Sequence, residues 1–205
     1  MLIFITIMFV SLIFLIGWRL HRLIAATTGP QISPQATGSA LLVIDMQVGI
    51  INQPHYKKKE ELIKAVQGII DGANEQLDVI YIKHSIPPHP IDSLLTAGQM
   101  KPGTADTELI AEFANQSLVF HKHRADAFTA ADFDAYLVKR QIKQLYLVGA
   151  DASSCVYRTA LGGKNRGYDV TILEDGLFAT SQKMKEKMLV SYHKQGIQTA
   201  TTPFQ

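Results

Sequence analysis

The regular alternation of short apolar runs with longer, helix-patterned segments is the feature that most constrains how this chain can fold. Between residues 60 and 74, apolar side chains recur at steps of three and four, which is typical of an amphipathic helix. Runs such as residues 40–45 are short and continuously apolar, which favours strands that are buried on both faces. Strands that alternate with helices form right-handed crossovers. The pattern therefore predicts an α/β fold with a mostly parallel sheet.

The same alternation predicts individual elements along the chain. The predicted strands span residues 40–45, 78–84, 117–120, 144–149 and 168–174, with a last strand at 197–201. The predicted helices span residues 60–74, 132–140, 154–166 and 181–195. No repeat or internal boundary interrupts this region, so we expect one domain over residues 40–205. In such a sheet the functional site lies at the carboxyl ends of the strands.

The N-terminal segment has a different character, since its first 18 residues carry no charged side chain. About 20 mostly apolar residues are enough to span a bilayer, so residues 1–26 are expected to form a transmembrane anchor, with membrane contact through residues 1–24. A signal peptide carries positive charge before its apolar run, whereas Arg19 and Arg22 follow it here. These charges favour an uncleaved single-pass anchor with the domain on the cytoplasmic side. Cleavage as a signal peptide is the alternative.

A short linker is predicted between the anchor and the domain. Residues 27–39 are rich in Gly, Pro, Ser and Thr and show no apolar periodicity. This composition predicts a flexible tether.

Composition excludes some classes of function. The net charge is +2, and no stripe of basic side chains with interleaved aromatic residues is present, so we expect no nucleic-acid binding. Cys155 is the chain's one cysteine, which excludes an intramolecular disulfide and a cysteine-rich metal site. A lone cysteine of this kind is either a small buried apolar residue or a nucleophile.

Three side chains of matched chemistry lie at the ends of three predicted strands. Asp45 ends the first, Lys122 follows the third, and Cys155 follows the fourth. A carboxylate can accept a thiol proton, and a lysine can hold that carboxylate charged and oriented. Each residue also has an ordinary interpretation: a turn or capping aspartate, an exposed lysine and a buried structural cysteine. Their arrangement at one edge of the sheet favours catalysis.

The position of Cys155 predicts an activated thiol. Ser153 and Ser154 precede it and can cap a helix, which places the cysteine in the first helical turn. The partial positive charge of a helix N-terminus favours a thiolate, and its free backbone N–H groups can stabilise an oxyanion. We therefore expect the pKa of the Cys155 thiol to be lowered.

Three segments resemble motifs of one enzyme family. ALLVIDMQ resembles the opening strand of isochorismatase-like cysteine hydrolases, which include nicotinamidases and N-carbamoylsarcosine amidases. KHRADAF is similar to that family's lysine motif, which often has the form K-x-R-x-S-A-F. VGADASSCVYRTALGGKNRGYDVTILEDG resembles its nucleophile motif. The three occur in the family's order, and the resemblance covers essentially residues 40–202.

The resemblance implies a three-layer α-β-α fold, Rossmann-like, with a six-stranded, mostly parallel sheet. It implies Asp45, Lys122 and Cys155 as a catalytic triad and a cis peptide bond between Ala150 and Asp151. The backbone N–H groups of Asp151 and Cys155 would form the oxyanion hole. Members that open a vinyl ether generally lack the cysteine, so its presence favours hydrolysis of a C–N bond in a small-molecule amide through a thioester.

The chain departs from nicotinamidases at two places. The second acid and the aromatic residue of their first motif are missing after Asp45, and the D-x-H metal motif is absent after the second predicted strand. His84 and His89 remain there, but two histidines without a carboxylate make a poor metal site. We therefore expect no metal and no other cofactor. Loops at residues 87–103 and 126–128 are expected to wall the substrate pocket; the candidate pocket residues are Gln47, His84 and Phe128.

A second class of function remains compatible with the sequence. In place of a membrane-tethered amidohydrolase, the chain could serve as a catalytically idle binding or scaffold protein anchored at the membrane. The intact set of Asp45, Lys122 and Cys155 favours the enzyme. The substrate's identity is not encoded in any recognisable motif, and a homo-oligomer is compatible with the sequence.

Overall fold

A computed structural model describes residues 2–74 and 76–204, which form one α/β domain preceded by a long helix. The strands are β1 (Gly38–Ile44), β2 (Asp78–His84), β3 (Val119–Lys122), β4 (Ile142–Gly149), β5 (Asp169–Leu177) and β6 (Gln198–Ala200). The helices are α1 (Leu2–Ile24), α2 (Val48–Ile51), α3 (Lys59–Ala73), α4 (Pro90–Leu95), α5 (Phe133–Lys139), α6 (Cys155–Lys164) and α7 (Gln182–Lys194). Single 3₁₀ turns lie at Ala105–Thr107, Ala111–Phe113 and Ala127–Thr129.

The six strands form one sheet in the order β3-β2-β1-β4-β5-β6, and every pair of neighbours is parallel. This confirms the predicted fold class. The chain builds outward from β1 through β2 to β3, and then returns to place β4 on the other side of β1. The carboxyl ends of β1 and β4 therefore flank a topological switch point, which is where open parallel sheets bind ligands.

Alternate residues of β1 serve two separate cores. Leu42 and Ile44 face the core formed with α5, α6 and α7. Leu41 and Val43 face the core formed with α3 and the segment around Phe113. Because both faces of the sheet are covered, its central strand is apolar throughout, and this explains the continuous run in the sequence.

The elements differ from the sequence prediction mainly at their ends and in two short helices, α2 and α4. β3 begins two residues later than expected, so Lys122 is the last residue of the strand. Helix α4 was not predicted; it begins with Pro90 and is capped by the ring of His89, which accepts from the backbone N–H of Ile91 at 3.3 Å. A histidine cap is outside the usual Ser, Thr, Asp and Asn signal, so the pattern did not reveal this helix.

Residues 27–39 make hydrogen bonds to the domain at several points along the segment. Thr27 donates from its backbone N–H and its hydroxyl to Asp126, each at 2.7 Å. The backbone N–H of Ile32 donates to the carbonyl of Arg166 at 3.0 Å, and β1 itself begins at Gly38. Composition alone predicts a tether here, because it does not reveal partners that lie more than 90 residues away along the chain.

Helix α1 is apolar along its length, and Phe4–Ile24 has a mean hydropathy of 1.9 with no part buried against the domain. It is long and apolar enough to cross a membrane, a property that N-terminal signal sequences share. Its C-terminal end contacts the domain, where Arg19 donates two hydrogen bonds to the carboxylate of Asp92 at 2.6 and 2.5 Å.

Gly149 joins β4 to the switch point, and its backbone explains why glycine is present there. Its φ is +110°, and a Cβ at this residue would lie 2.1 Å from the carbonyl oxygen of Ile44. We expect Gly149→Ala to lower the free energy of unfolding by about 2 kcal/mol or more, because both the backbone conformation and the contact oppose it. Chemical denaturation of the detergent-solubilised chain measures this change.

Gly68 provides the matched control, since it lies inside α3 and a Cβ there would meet nothing within 4 Å. Gly68→Ala should raise the unfolding free energy by up to about 1 kcal/mol, because alanine favours the helix. Equal effects of the two substitutions would contradict this account of Gly149.

Candidate active site

Asp45 lies at the switch point, immediately after β1. Its φ of +54° turns the chain out of the strand, and its side chain is fully buried. Its backbone N–H donates to the carbonyl of Ile82 at 2.9 Å, and its carbonyl accepts from the N–H of Gln47 at 2.8 Å. The backbone is thereby fixed on both sides, and the carboxylate points into the interior instead of capping a helix.

Lys122 reaches that carboxylate from β3. Its ammonium nitrogen lies 2.9 Å from Oδ2 of Asp45 and 3.0 Å from the carbonyl oxygen of Ala125. Both side chains are buried, with 0% and 1% exposure. Since β2 separates β3 from β1, only a long side chain can span the distance. The interpretation of Lys122 as an exposed lysine is therefore wrong.

The buried ion pair determines the charges in the site. Burial lowers the pKa of Lys122, but the negative charges of Asp45 and Cys155 outweigh it and raise the pKa, so the ammonium stays protonated. Burial raises the pKa of Asp45, and the charge of Lys122 opposes that rise. Within residues 2–74 and 76–204, Oδ1 of Asp45 is buried without a hydrogen-bond partner. A carboxylate of raised pKa with one free oxygen is suited to accept a proton.

Cys155 is the first residue of α6, and the residue as a whole is half-buried. Burial, followed by the negative charge of Asp45, raises the pKa of the thiol to about 12, although Lys122 acts in the opposite direction. The expectation of a lowered thiol pKa was wrong. The sequence reveals the helix N-terminus, which lowers a thiol pKa. It does not reveal the burial of the thiol or the nearby carboxylate of Asp45, which raise that pKa and depend on the tertiary structure.

The turn from β4 to α6 presents two backbone donors. The peptide bond between Ala150 and Asp151 is cis, the conformation that the resemblance implies. Across the described part of the chain, the backbone N–H groups of Asp151 and Cys155 donate to no protein acceptor. They are therefore available to an oxygen bound beside the thiol.

Side chains from distant elements fix this turn. The carboxylate of Asp151 accepts from the N–H and hydroxyl of Ser153 at 2.8 and 2.5 Å, and from the hydroxyl of Tyr56 at 3.1 Å. The hydroxyl of Tyr192 donates to the carbonyl of Ala152 at 2.6 Å. Sequence reasoning missed both tyrosines, because nothing in a loop or an amphipathic helix marks one tyrosine as a support for a distant turn.

The candidate pocket residues do not share one role. The amide of Gln47 donates to the carbonyls of His84 and Thr107 at 2.9 and 2.7 Å and accepts from the N–H of His84 at 2.7 Å. All three hydrogen bonds of the Gln47 amide go to backbone groups, so this side chain connects the segments at His84 and Thr107. It is not a wall of the pocket, as the sequence had suggested. Phe128 likewise differs from the expectation, since its ring packs in the core against Phe133 and Tyr168.

His84 is the member of this set with a free polar atom. It pairs in register with Lys122 across β2 and β3, and in the described part of the chain its buried Nδ1 has no hydrogen-bond partner. Burial, followed by the charges of Lys122 and His123, lowers the pKa of His84 well below its usual value. The ring is therefore neutral at physiological pH.

The histidines around the site do not gather as metal ligands. Nδ1 of His89 caps α4, and Nδ1 of His123 contacts the carbonyl and hydroxyl of Ser85 at 3.0 and 3.2 Å. Among the residues that the structure describes, no three His, Cys, Asp or Glu side chains are placed to hold an ion. This arrangement does not fit a metal centre.

A cavity of about 810 Å³ lies between α3 and the start of α7. It reaches the β4–α6 turn only through Tyr56, and none of Asp45, Lys122 and Cys155 lines it. This cavity is therefore separate from the triad.

Comparison with known proteins identifies the family of this chain. The family model for the isochorismatase domain matches residues 39–203, which is most of the chain. The chain belongs to the isochorismatase family. Members of this family are hydrolases and include amidases. A search of curated protein sequences found no match.

Solved structures of this family share the fold. An isochorismatase-like hydrolase from Alkaliphilus metalliredigens is 24% identical, with a TM-score of 0.70 over 81% of this chain and 95% of that one. N-carbamoylsarcosine amidase from Thermoplasma acidophilum is 25% identical, with a TM-score of 0.68 over 82% and 98%. The pyrazinamidase of Pyrococcus horikoshii, solved in complex with zinc, is 20% identical, with a TM-score of 0.69 over 80% and 99%.

The raised thiol pKa predicts how Cys155 reacts with iodoacetamide. The alkylation rate should climb about tenfold per pH unit and show no plateau below about pH 8.5, the ordinary cysteine value. Asp45→Asn should increase the rate at a fixed pH, because it removes a negative charge that raises the thiol pKa. Mass spectrometry measures the reaction unambiguously, since the chain has one cysteine.

The control for this measurement is Asp169→Asn, which removes an exposed carboxylate at the start of β5 and should leave the rate unchanged. A plateau at neutral pH, or a slower reaction of Asp45→Asn, would contradict the charge arrangement described here.

Proposed function

We propose that this protein is a cysteine amidohydrolase that cleaves the C–N bond of a small-molecule amide with Asp45, Lys122 and Cys155 as its triad. The observation that carries the proposal is the buried pair of Lys122 and Asp45, whose free Oδ1 lies in a site shared with the chain's one thiol. Membership in a family of hydrolases that includes amidases supports the same conclusion.

In the first half of the reaction, Sγ of Cys155 attacks the amide carbonyl carbon while Asp45 takes the thiol proton. A protonated resting thiol of raised pKa makes this transfer part of the attack, so no free thiolate has to accumulate. The carbonyl oxygen becomes an oxyanion and accepts hydrogen bonds from the free N–H groups of Asp151 and Cys155. The C–N bond then breaks, and the proton on Asp45 passes to the departing ammonia or amine.

In the second half, Asp45 takes a proton from water as the water oxygen attacks the thioester carbonyl. The C–S bond breaks, the carboxylic acid leaves, and the proton on Asp45 returns to the thiol. Lys122 remains protonated throughout and compensates the charge that alternates between Asp45 and Cys155. Every step uses side chains and water, so the proposal includes no metal or other cofactor.

The proposal places the catalytic domain at a membrane. Residues 1–26 would serve as an uncleaved anchor and residues 40–205 as the hydrolase domain. The length and apolar character of α1 support the anchor, and Arg19 and Arg22 at its C-terminal end support a domain on the cytoplasmic side.

Steady-state turnover tests the triad. A panel of primary amides, assayed with the detergent-solubilised chain, should reveal a substrate whose hydrolysis persists with a chelator. Cys155→Ala and Asp45→Asn should each abolish turnover, and the double variant should be barely worse, because groups that act as one unit lose activity non-additively. Lys122→Ala should also be severe, but it leaves a buried carboxylate unpaired and should cost stability as well, about 3–5 kcal/mol.

Ser154→Ala is the matched control, because its hydroxyl adjoins the thiol at 3.9 Å and caps no backbone group of α6. It should keep turnover within a few-fold of the wild type. If Cys155→Ala retains more than about a tenth of the wild-type rate, a barrier change below about 1.4 kcal/mol, the nucleophile assignment is wrong. If the wild type hydrolyses no amide of the panel, an idle binding protein becomes the better account.

The anchor is tested separately by protease protection. When the full chain is expressed in bacterial cells, its domain should resist protease added to spheroplasts and become sensitive after lysis, and its N-terminus should remain that of the gene product. Digestion from outside, or a mature chain beginning near Thr27, would overturn the proposed topology.

A further inference from the structure

The loop that follows Lys122 is held from outside by the segment that precedes the family domain. Residues 123–126 leave β3 and pass beside the C-terminal end of α1. The carbonyl of Arg22 accepts from Nε of Arg124 at 2.6 Å, and the carbonyl of Leu23 accepts from the backbone N–H of Ala125 at 2.9 Å. The family model matches residues 39–203, so these contacts come from a segment that precedes the matched domain.

Ala125 connects these contacts to the ion pair. Its N–H is bound by Leu23, while its carbonyl oxygen accepts from Nζ of Lys122 at 3.0 Å. The lysine ammonium therefore has two fixed acceptors, Asp45 Oδ2 and the Ala125 carbonyl. A shift of the Ala125 backbone would move its carbonyl oxygen, one of these two acceptors, away from the lysine ammonium.

Asp126, the next residue, is a buried carboxylate whose donors come largely from the preceding segment. Its Oδ2 accepts from the N–H and the hydroxyl of Thr27, each at 2.7 Å, and its Oδ1 accepts from the N–H of Phe128 at 3.0 Å. Burial raises the pKa of Asp126, and the two bonds from Thr27 are the main opposing influence.

Arg166 fixes the other side of Thr27. Its guanidinium donates to the carbonyl and hydroxyl of Thr27 at 3.2 and 3.1 Å and to the carbonyl of Thr28 at 3.2 Å, while it is paired with Asp134 at 2.8 Å. The backbone approaches so closely that a Cβ on Gly29 would lie 2.5 Å from Nε of Arg166. Thr27 is therefore hydrogen-bonded on one side to the buried carboxylate of Asp126 and on the other to the buried guanidinium of Arg166.

We infer that Thr27 and Asp126 are positioning residues that hold the Lys122 loop in its working conformation, so that residues 22–27 complete the catalytic site. This inference rests on the proposed role of Lys122. Without the Thr27 hydroxyl, Asp126 keeps one donor from the segment in place of two, and the buried carboxylate is less well satisfied. The loop then loses one of the contacts that hold it beside Lys122.

The test compares Thr27→Val, which keeps the shape and loses the hydroxyl, with Thr27→Ser, which restores it. Thr28→Val is the neighbouring control, because the Thr28 hydroxyl makes no hydrogen bond to any residue described in the structure. All variants are made in the full chain in detergent. Two readouts are taken: the alkylation rate of Cys155 by iodoacetamide at about pH 8, and kcat and KM on an amide that the panel identifies.

Thr27→Val should slow alkylation roughly threefold or more, because a displaced Lys122 no longer favours the thiolate. It should lower kcat roughly tenfold with little change in KM, since a misplaced charge affects the reacting groups more than ground-state binding. Thr27→Ser and Thr28→Val should match the wild type. Local unfolding would expose the thiol and accelerate alkylation, so a slower reaction is specific to repositioning.

An unchanged or faster alkylation rate in Thr27→Val overturns the inference, whatever the turnover. A slower rate that Thr27→Ser restores supports it even when no amide in the panel is hydrolysed; in that case the proposed function fails and the positioning of Lys122 stands.

Discussion

The buried ion pair of Lys122 and Asp45 is the interaction on which the site depends. A lysine ammonium without solvent contact needs fixed acceptors, and it has two, at 2.9 and 3.0 Å. Removing one partner of such a pair costs about 3–5 kcal/mol, so the pair constrains the ends of β1 and β3 as well as the chemistry. The same pair influences the protonation state of Cys155, because the charge of Asp45 raises the pKa of the thiol and the charge of Lys122 lowers it.

The topology of the sheet explains why these residues meet. Asp45, Lys122 and Cys155 are separated by 77 and then 33 positions, yet they meet at one edge of the sheet. Asp45 directly follows β1, Lys122 ends β3, and Cys155 begins the helix that follows β4. The switch between β1 and β4 leaves room for the turn at residues 150–154, and Gly149 lets β4 approach the carbonyl of Ile44 closely enough to form it. Relatives of 20–25% identity share the fold of this domain. Thr27, which is bonded to Asp126 and Arg166, lies before the residues that the family model matches.

The sequence predicted the strands, the mostly parallel sheet and the strand ends near which the candidate triad lies, because apolar periodicity and the alternation of strands with helices can be read locally along the chain. Three features escaped it for one physical reason. The raised pKa of Cys155 depends on a carboxylate distant in sequence, the order of residues 27–39 depends on Asp126 and Arg166, and the support of the β4–α6 turn depends on Tyr56 and Tyr192. Each arises from a contact between distant segments, which composition cannot report.

The half-buried thiol of Cys155 also determines how the protein responds to oxidants. Oxidation of cysteine proceeds through the thiolate, so a thiol held protonated by burial is attacked slowly. Once a sulfenic acid forms there, the chain offers no second cysteine to trap it as an internal disulfide. Recovery therefore depends on a thiol from another molecule, such as a low-molecular-weight reductant small enough to enter a half-buried site.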